Sequence, residues 1–315
     1  MKSKTNQHIG SNFDDFLREE GIYEEVEAAA LKKVNSEYKG GGTFHAENGQ
    51  LTYVHLYGHH EITDIAPLRG IPITSLSLGN CDGITDYSPL EGMPLKELDV
   101  GTCRNFDDQA MAYLRGAPLE RLVVEFTSQT DISVIKGTRM RCLRVERADD
   151  LSGLAGMSLE ELLVRRAERV EDISVIRGMP LVLLRLGGLS VTNFSALVSL
   201  HSLRSLDLSG SREFSDLTLV AKMKDLEELL IPKTAVEDLA PLKALGHLKK
   251  LDIGGTPVVQ LTPILDLKLA DFTFDPRNIK DPAQLKSLRS LKSLQRICGK
   301  PAAEFWKRYD AGEFK

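Results

Sequence analysis

The chain has 315 residues, 42% of them apolar and 27% charged, which is the balance of a folded globular protein and excludes wholesale disorder. Lys and Arg number 40 against 45 Asp and Glu, a net charge of −5, which argues against a nucleic-acid backbone as the main partner, because that needs a basic surface. No run of about 18 or more apolar residues occurs, so no membrane-spanning helix is expected.

The N-terminus lacks the apolar stretch of a signal peptide. The four cysteines (81, 103, 142 and 298) form neither a CxxC pair nor a disulfide framework. Both features lead to the expectation of a cytoplasmic protein with reduced thiols. Residues 11–38 have the pattern of two helices. Ser11 can cap the first, with Asp14 and Asp15 in its opening turn, and Gly21 can end it. Ile22, Val26, Ala29 and Ala30 then share a face up to Val34. Between residues 12 and 27 there are seven acids and one base, Arg18. The run from His8 to Val34 resembles the N-terminus of short bacterial antitoxins of the helix-turn-helix, HigA-like type. That resemblance implies a partner-docking arm able to restrain a toxin or a signalling enzyme. In that family a DNA-binding helix-turn-helix follows; here Lys39-Gly40-Gly41-Gly42 follows, so DNA binding is not implied.

From residue 51 the pattern L-x-x-L-x-L recurs, starting at Leu51, Ile73, Leu95, Leu119, Met140, Leu159, Leu181, Leu203, Leu226, Leu248 and Leu269, with a degenerate copy at Leu291. The spacings run from 19 to 24 residues, the shortest between Met140 and Leu159. Leu95-Lys-Glu-Leu98-Asp-Val100 and Leu203-Arg-Ser-Leu206-Asp-Leu208 alternate apolar and polar residues, which is strand patterning. A second block follows each motif, as in Asp64-Ile-Ala-Pro-Leu68, Asp131-Ile-Ser-Val-Ile135 and Asp238-Leu-Ala-Pro-Leu242. It is too short for a full α-helix and suits one 3₁₀ turn. The recurring aspartates (64, 86, 108, 131, 172, 216 and 238) read as caps of these turns rather than as calcium ligands.

These in-phase copies resemble the leucine-rich repeats of the short bacterial class, related to internalin-like repeats, over roughly residues 50–297. The resemblance implies an α/β solenoid with a parallel sheet on the concave face and short 3₁₀ or α turns on the convex face. One repeat cannot bury its own leucines, so neighbours must cover each other. Eleven strands about 4.8 Å apart would span roughly 48 Å. Position 9 of the repeat, often Asn in this class, here holds His59, Cys81, Cys103, Thr127, Ala148, Ala167, Leu189, Ser211, Thr234 and Thr256, so an asparagine ladder is replaced at best in part. The final run Phe305-Trp306-Lys-Arg-Tyr309-Asp-Ala-Gly312 is similar to the tail of bacterial cytosolic leucine-rich repeat proteins, some of them fused to kinases, and reads as a C-terminal cap. The expected division is a helical segment and Gly linker at 1–44, repeats at 45–298 and a cap at 299–315.

Chemistry finds little foothold. No G-x-S-x-G, H-E-x-x-H, Walker loop or kinase signature occurs, so the protein is expected to be non-enzymatic and without cofactor. His55, His59 and His60 cluster near Cys81 and Cys103, but position 9 turns inward, so the cysteines read as core residues rather than metal ligands. The informative surface is the strand face, where positions 2, 3, 5 and 7 of each repeat are expected to point outward. The middle repeats place arginines there among apolar residues, with Val123, Leu163, Leu183 and Leu230 expected to be exposed. Arginine mixed with apolar anchors is what protein interfaces enrich at their centres. The expected contact set for a protein partner is Arg121, Arg144, Leu163, Arg165, Leu183 and Arg185.

Overall fold

The computed structural model describes the backbone of His8–Ile9, residues 42–47 and residues 50–313. The two predicted N-terminal helices, and with them most of the antitoxin-like run, lie outside the described residues. The chain forms two compact units, Met1–Ala148 with Ser152–Met157, and Asp149–Leu151 with Ser158–Lys315.

In the first unit a short strand β1 (His8–Ile9) pairs antiparallel with β2 (Thr43–Glu47), which pairs antiparallel with β3 (Gln50–His55). From β3 onward every pairing is parallel: β4 (Ser75–Ser77), β5 (Glu97–Asp99), β6 (Arg121–Val124) and β7 (Cys142–Arg147) follow in order. The register is constant, with Tyr53, Ser75, Glu97, Arg121 and Cys142 side by side, so position 3 of each repeat meets position 3 of the next. The second unit continues the pattern with β8 (Glu161–Arg166), β9 (Leu183–Leu186), β10 (Ser205–Asp207), β11 (Glu228–Leu230), β12 (Lys250–Asp252), β13 (Asp271–Thr273) and β14 (Arg296–Ile297). Both units have the architecture of a leucine-rich repeat solenoid.

The leucine frame explains the strands. Positions 1, 4 and 6 are sealed: Leu203, Leu206 and Leu208 are fully buried, as are Leu95, Leu98 and Val100. Each strand is short because the chain turns at position 8 through a left-handed residue, as at Asn80, Thr102, Phe126, Lys233 and Gly210. In the repeats starting at Met140 and Leu159 that position holds Arg147 and Arg166, neither of which takes positive φ. There β7 and β8 run on to six residues instead. After the strand comes a three-residue 3₁₀ turn such as Ala66–Leu68 or Ser174–Ile176. The conserved-type aspartate accepts the turn's first N–H: Asp64 from Ala66, Asp131 from Ser133, and Asp172 from Ser174, at 2.7 Å each.

Two sequence expectations are corrected. Asp108 is not a cap but lies inside helix α1 (Asp108–Ala112); Asp107 caps it, accepting from Ala110 N at 2.9 Å. The Asp108 carboxylate instead accepts from the backbone of Thr130 and Asp131 in the next repeat. The last motif starts at Leu294, not Leu291, because Ile297 sits opposite Phe272 in the column of central apolar residues. The extra length is taken up by α2 (Pro282–Ser287), capped by Asp281, where most other repeats have a 3₁₀ turn.

The C-terminal end closes as the sequence suggested. β15 (Lys300–Pro301) folds back antiparallel on β14, and α3 (Ala302–Asp310) follows. Phe305 is buried 6.2 Å from Phe274 and 5.1 Å from Trp306 (ring centroids). Arg289 lies 4.7 Å over the Trp306 ring and pairs with Asp310 at 2.6 Å, which fastens the cap to the last repeat.

Candidate functional site

The position-9 column shows how this chain replaces an asparagine ladder. Cys81 and Cys103 donate their thiols to Leu56 O and Leu78 O of the preceding repeat, at 2.9 and 3.1 Å. Thr127, Thr234 and Thr256 instead donate to Val124 O, Ile231 O and Ile253 O of their own repeat, at 2.7–2.8 Å. The cysteines thus bond between repeats and the threonines within them. Burial pushes the Cys81 thiol up to about 12, so it stays protonated at neutral pH. His59 turns to Glu61 at 3.2 Å and His60 to Asp82 at 3.1 Å. Among the described residues no three His, Cys, Asp or Glu side chains converge as a metal site.

The expected contact residues divide between the units. Arg121 on β6 and Arg144 on β7 belong to the first, both half-buried. Leu163 and Arg165 on β8, with Leu183 and Arg185 on β9, belong to the second. Leu163 is not the exposed anchor expected from sequence: it is 8% exposed, and Val123 is 7% exposed. Leu163 lies beside Arg185 on the neighbouring strand β9. Leu183 and Leu230 are half-buried.

Leu163, Arg165 and Arg185 converge on one pocket of about 290 Å³, lined also by Val164, Glu168, Gly187, Gly188, Asp207 and Ser209. Arg165 is exposed at the end of β8. Gly187 lines the hollow where β8 and β9 approach closely. Its N–H donates to Val164 O at 3.1 Å and its carbonyl accepts from Ala167 at 3.0 Å. A Cβ there would fall 2.6 Å from the Arg165 carbonyl oxygen, so only glycine permits this approach. Gly188 takes the left-handed turn with φ +71°.

Charge is arranged around the pocket. Arg185 Nη2 reaches Glu228 Oε2 at 3.2 Å, while its Nε is buried with no hydrogen-bond partner. Glu228 also accepts from Ser205 at 2.5 Å and Lys250 at 2.7 Å. Burial alone would push the Glu228 carboxyl up, but these donors and the Lys250 and Arg185 charges hold it below the usual carboxylate value. Asp207 accepts from the backbone and hydroxyl of Ser209. Asp252, on β12, is pushed up by burial and by the nearby Asp207 and Asp271.

Of the expected contact residues, Leu163, Arg165 and Arg185 line this pocket, whereas Arg121, Arg144 and Leu183 do not; Glu168, Gly187, Gly188, Asp207 and Ser209 line it without having been singled out from the sequence. The available signal was the Gly-Gly pair at positions 7 and 8, where a strand-face side chain is absent.

The sequence matches no protein-family model and no curated protein. Solved structures share the fold. An internalin (inlF) from Listeria monocytogenes aligns at 17% identity over 86% of each chain, with a TM-score of 0.53. A leucine-rich repeat protein from Leptospira interrogans aligns at 17% identity over 75% of this chain and 63% of its own, with a TM-score of 0.58. An internalin C2 (inlC2) from Listeria monocytogenes aligns at 22% identity over 61% of this chain and 88% of its own, with a TM-score of 0.50. These likenesses show the fold, a leucine-rich repeat solenoid. Among the described residues no helix is long and apolar enough to cross a membrane.

Proposed function

We propose that this protein is a non-enzymatic scaffold that captures a protein partner on its strand face, with the Leu163–Arg165–Arg185 pocket as the anchor in the second unit. The observation that carries this reading is the convergence of two arginines and Gly187–Gly188 on one hollow of about 290 Å³. A glycine floor beneath arginine side chains suits a partner's side chain better than a flat salt-bridged surface does. Exposed ion pairs stabilise a fold by only ~0–1 kcal/mol, so stability alone gives little reason for arginine here. The backbone of the pocket is fixed by the strand ladder, which lowers the ordering cost of association. Arg121, Arg144 and Leu183 are proposed as further contacts, each acting within its own unit. The four cysteines are free thiols, in keeping with a reducing, cytoplasmic setting.

Affinity capture from the native cell would identify the partner, which is then purified and titrated. Arg165→Glu should weaken binding at least about tenfold, equivalent to about 1.4 kcal/mol, with the circular dichroism spectrum unchanged. Unaltered affinity in that variant overturns the assignment of the pocket.

A further inference from the structure

The first unit carries a second, chemically different patch that does not depend on the pocket. Positions 3 and 5 of the first repeat, on β3, hold Tyr53 and His55, position 7 in the turn after it holds Tyr57, and His45 joins them from β2. Their rings form a continuous row, with centroids 4.6 Å apart for His45–Tyr53, and 6.3 Å apart for both Tyr53–His55 and His55–Tyr57. Tyr57 is 55% exposed, unusual for a large side chain in this molecule. The next repeat offers only Ser75, Ser77 and Gly79 at the same positions, and the third offers Glu97, Asp99 and Gly101. A Cβ at Gly79 would fall 2.7 Å from the Tyr57 ring and 3.2 Å from Asp99 Oδ1. The Tyr57 ring therefore packs directly against Gly79, with the Asp99 carboxylate beside it.

The charge here is one-sided. Positions 3, 5 and 7 of these three repeats contain no Lys or Arg. Glu97 accepts from Ser75 at 3.0 Å and Asp99 from the Gly101 N–H at 2.9 Å, yet among the described residues neither makes an ion pair. Arg121, the cross-strand neighbour of Glu97, turns its Nη1 to Cys142 Sγ at 2.9 Å instead. Ser77 Oγ and His45 Nε2 are buried with no hydrogen-bond partner. An aromatic ring beside unneutralised carboxylates is the arrangement that attracts a cationic side chain, through the ring quadrupole and through charge. A neutral saccharide would use the rings but would gain nothing from the carboxylates' charge.

We infer that the strand face of the first three repeats docks a basic polypeptide segment, setting a lysine or arginine side chain against the exposed Tyr57 ring and the carboxylates of Asp99 and Glu97. The test is a titration of the full chain against a fluorescently labelled penta-arginine peptide, with chitohexaose as a neutral saccharide probe. Saturable peptide binding is expected. Tyr57→Ala should weaken it about tenfold, as should the pair Glu97→Gln with Asp99→Asn, which keeps both acceptor oxygens while removing the charge. The pair Glu213→Gln with Glu237→Gln makes the same charge change at exposed positions off this patch, and should alter affinity less than about twofold. Retained melting temperatures show that the variants fold. Absence of saturable peptide binding, or equal losses in the two charge pairs, overturns the inference. So does chitohexaose binding that is lost in Tyr57→Ala and indifferent to the loss of charge at Glu97 and Asp99.

Discussion

Asp86, Asp172 and Asp216 each accept hydrogen bonds from the turn they precede, the first led by the Ser88 N–H and the other two by the hydroxyls of Ser174 and Thr218, and all three carboxyls are held below their ordinary value. A carboxyl lowered in the folded state contributes stability that is full above its unfolded value, about 3.9, and is lost as pH falls through the lowered folded value. Asp252 works the other way: its carboxyl is raised, so its charging opposes folding as pH climbs past the unfolded value. With more caps than raised carboxyls, urea midpoints should drop between pH 7 and pH 3. The triple variant Asp86→Asn, Asp172→Asn and Asp216→Asn should show a smaller drop, since an amide oxygen accepts at either pH. Equal drops would mean that the caps carry none of the acid sensitivity. The cap role was legible from the recurrence of Asp before a short turn. The exception at Asp107–Asp108 was not, because two adjacent aspartates satisfy the same pattern and only the helix start tells them apart.

At the scale of the element, the regular repeats follow directly from leucine spacing, and the departures follow from single residues that break it. Arg147 and Arg166 occupy the turn position without positive φ, and their strands extend to six residues. Helix α2 lengthens the repeat that starts at Leu269, which moves the start of the last motif to Leu294. Gly187 lines the pocket, and its substitution by alanine places a methyl group 2.6 Å from a backbone oxygen that cannot rotate away. Gly187→Ala should therefore destabilise the protein by about 1–3 kcal/mol, the range for overpacking, and diminish partner capture along with it. A melting temperature within error of wild type would show that β8 and β9 separate easily there, against the close approach described. Leu163 illustrates the limit of sequence patterning. Position 5 of a strand points to the outer face, yet Leu163 is buried there beside Arg185, and only the structure reveals this.

For the molecule as a whole, each repeat's interior is completed by the repeats beside it, so a core residue matters to three repeats rather than one. Leu206 stands fully buried between Leu184 and Leu229 in the second unit. Leu206→Ala should cost ~2–5 kcal/mol, measured by urea denaturation. A loss below ~0.5 kcal/mol, as at surface sites, would place the leucine frame out of phase with the core. The binding tests on the two strand-face patches belong to this scale as well, because each patch draws on side chains from neighbouring repeats.

The amino-acid sequence alone determined the repeat, its strand and turn elements, the buried columns and the capped C-terminal end. Those features rest on local periodicity and on residues whose roles are set within one or two repeats. Tertiary structure decided which strand-face residues meet. Arg185 reaches past β10 to Glu228, Gly187 and Arg165 line one hollow, and Tyr57 approaches Asp99, two repeats away, across Gly79. Spacing places these side chains on the same face. Their rotamers, the missing side chains between them and the cover given by neighbours settle what that face offers to a partner.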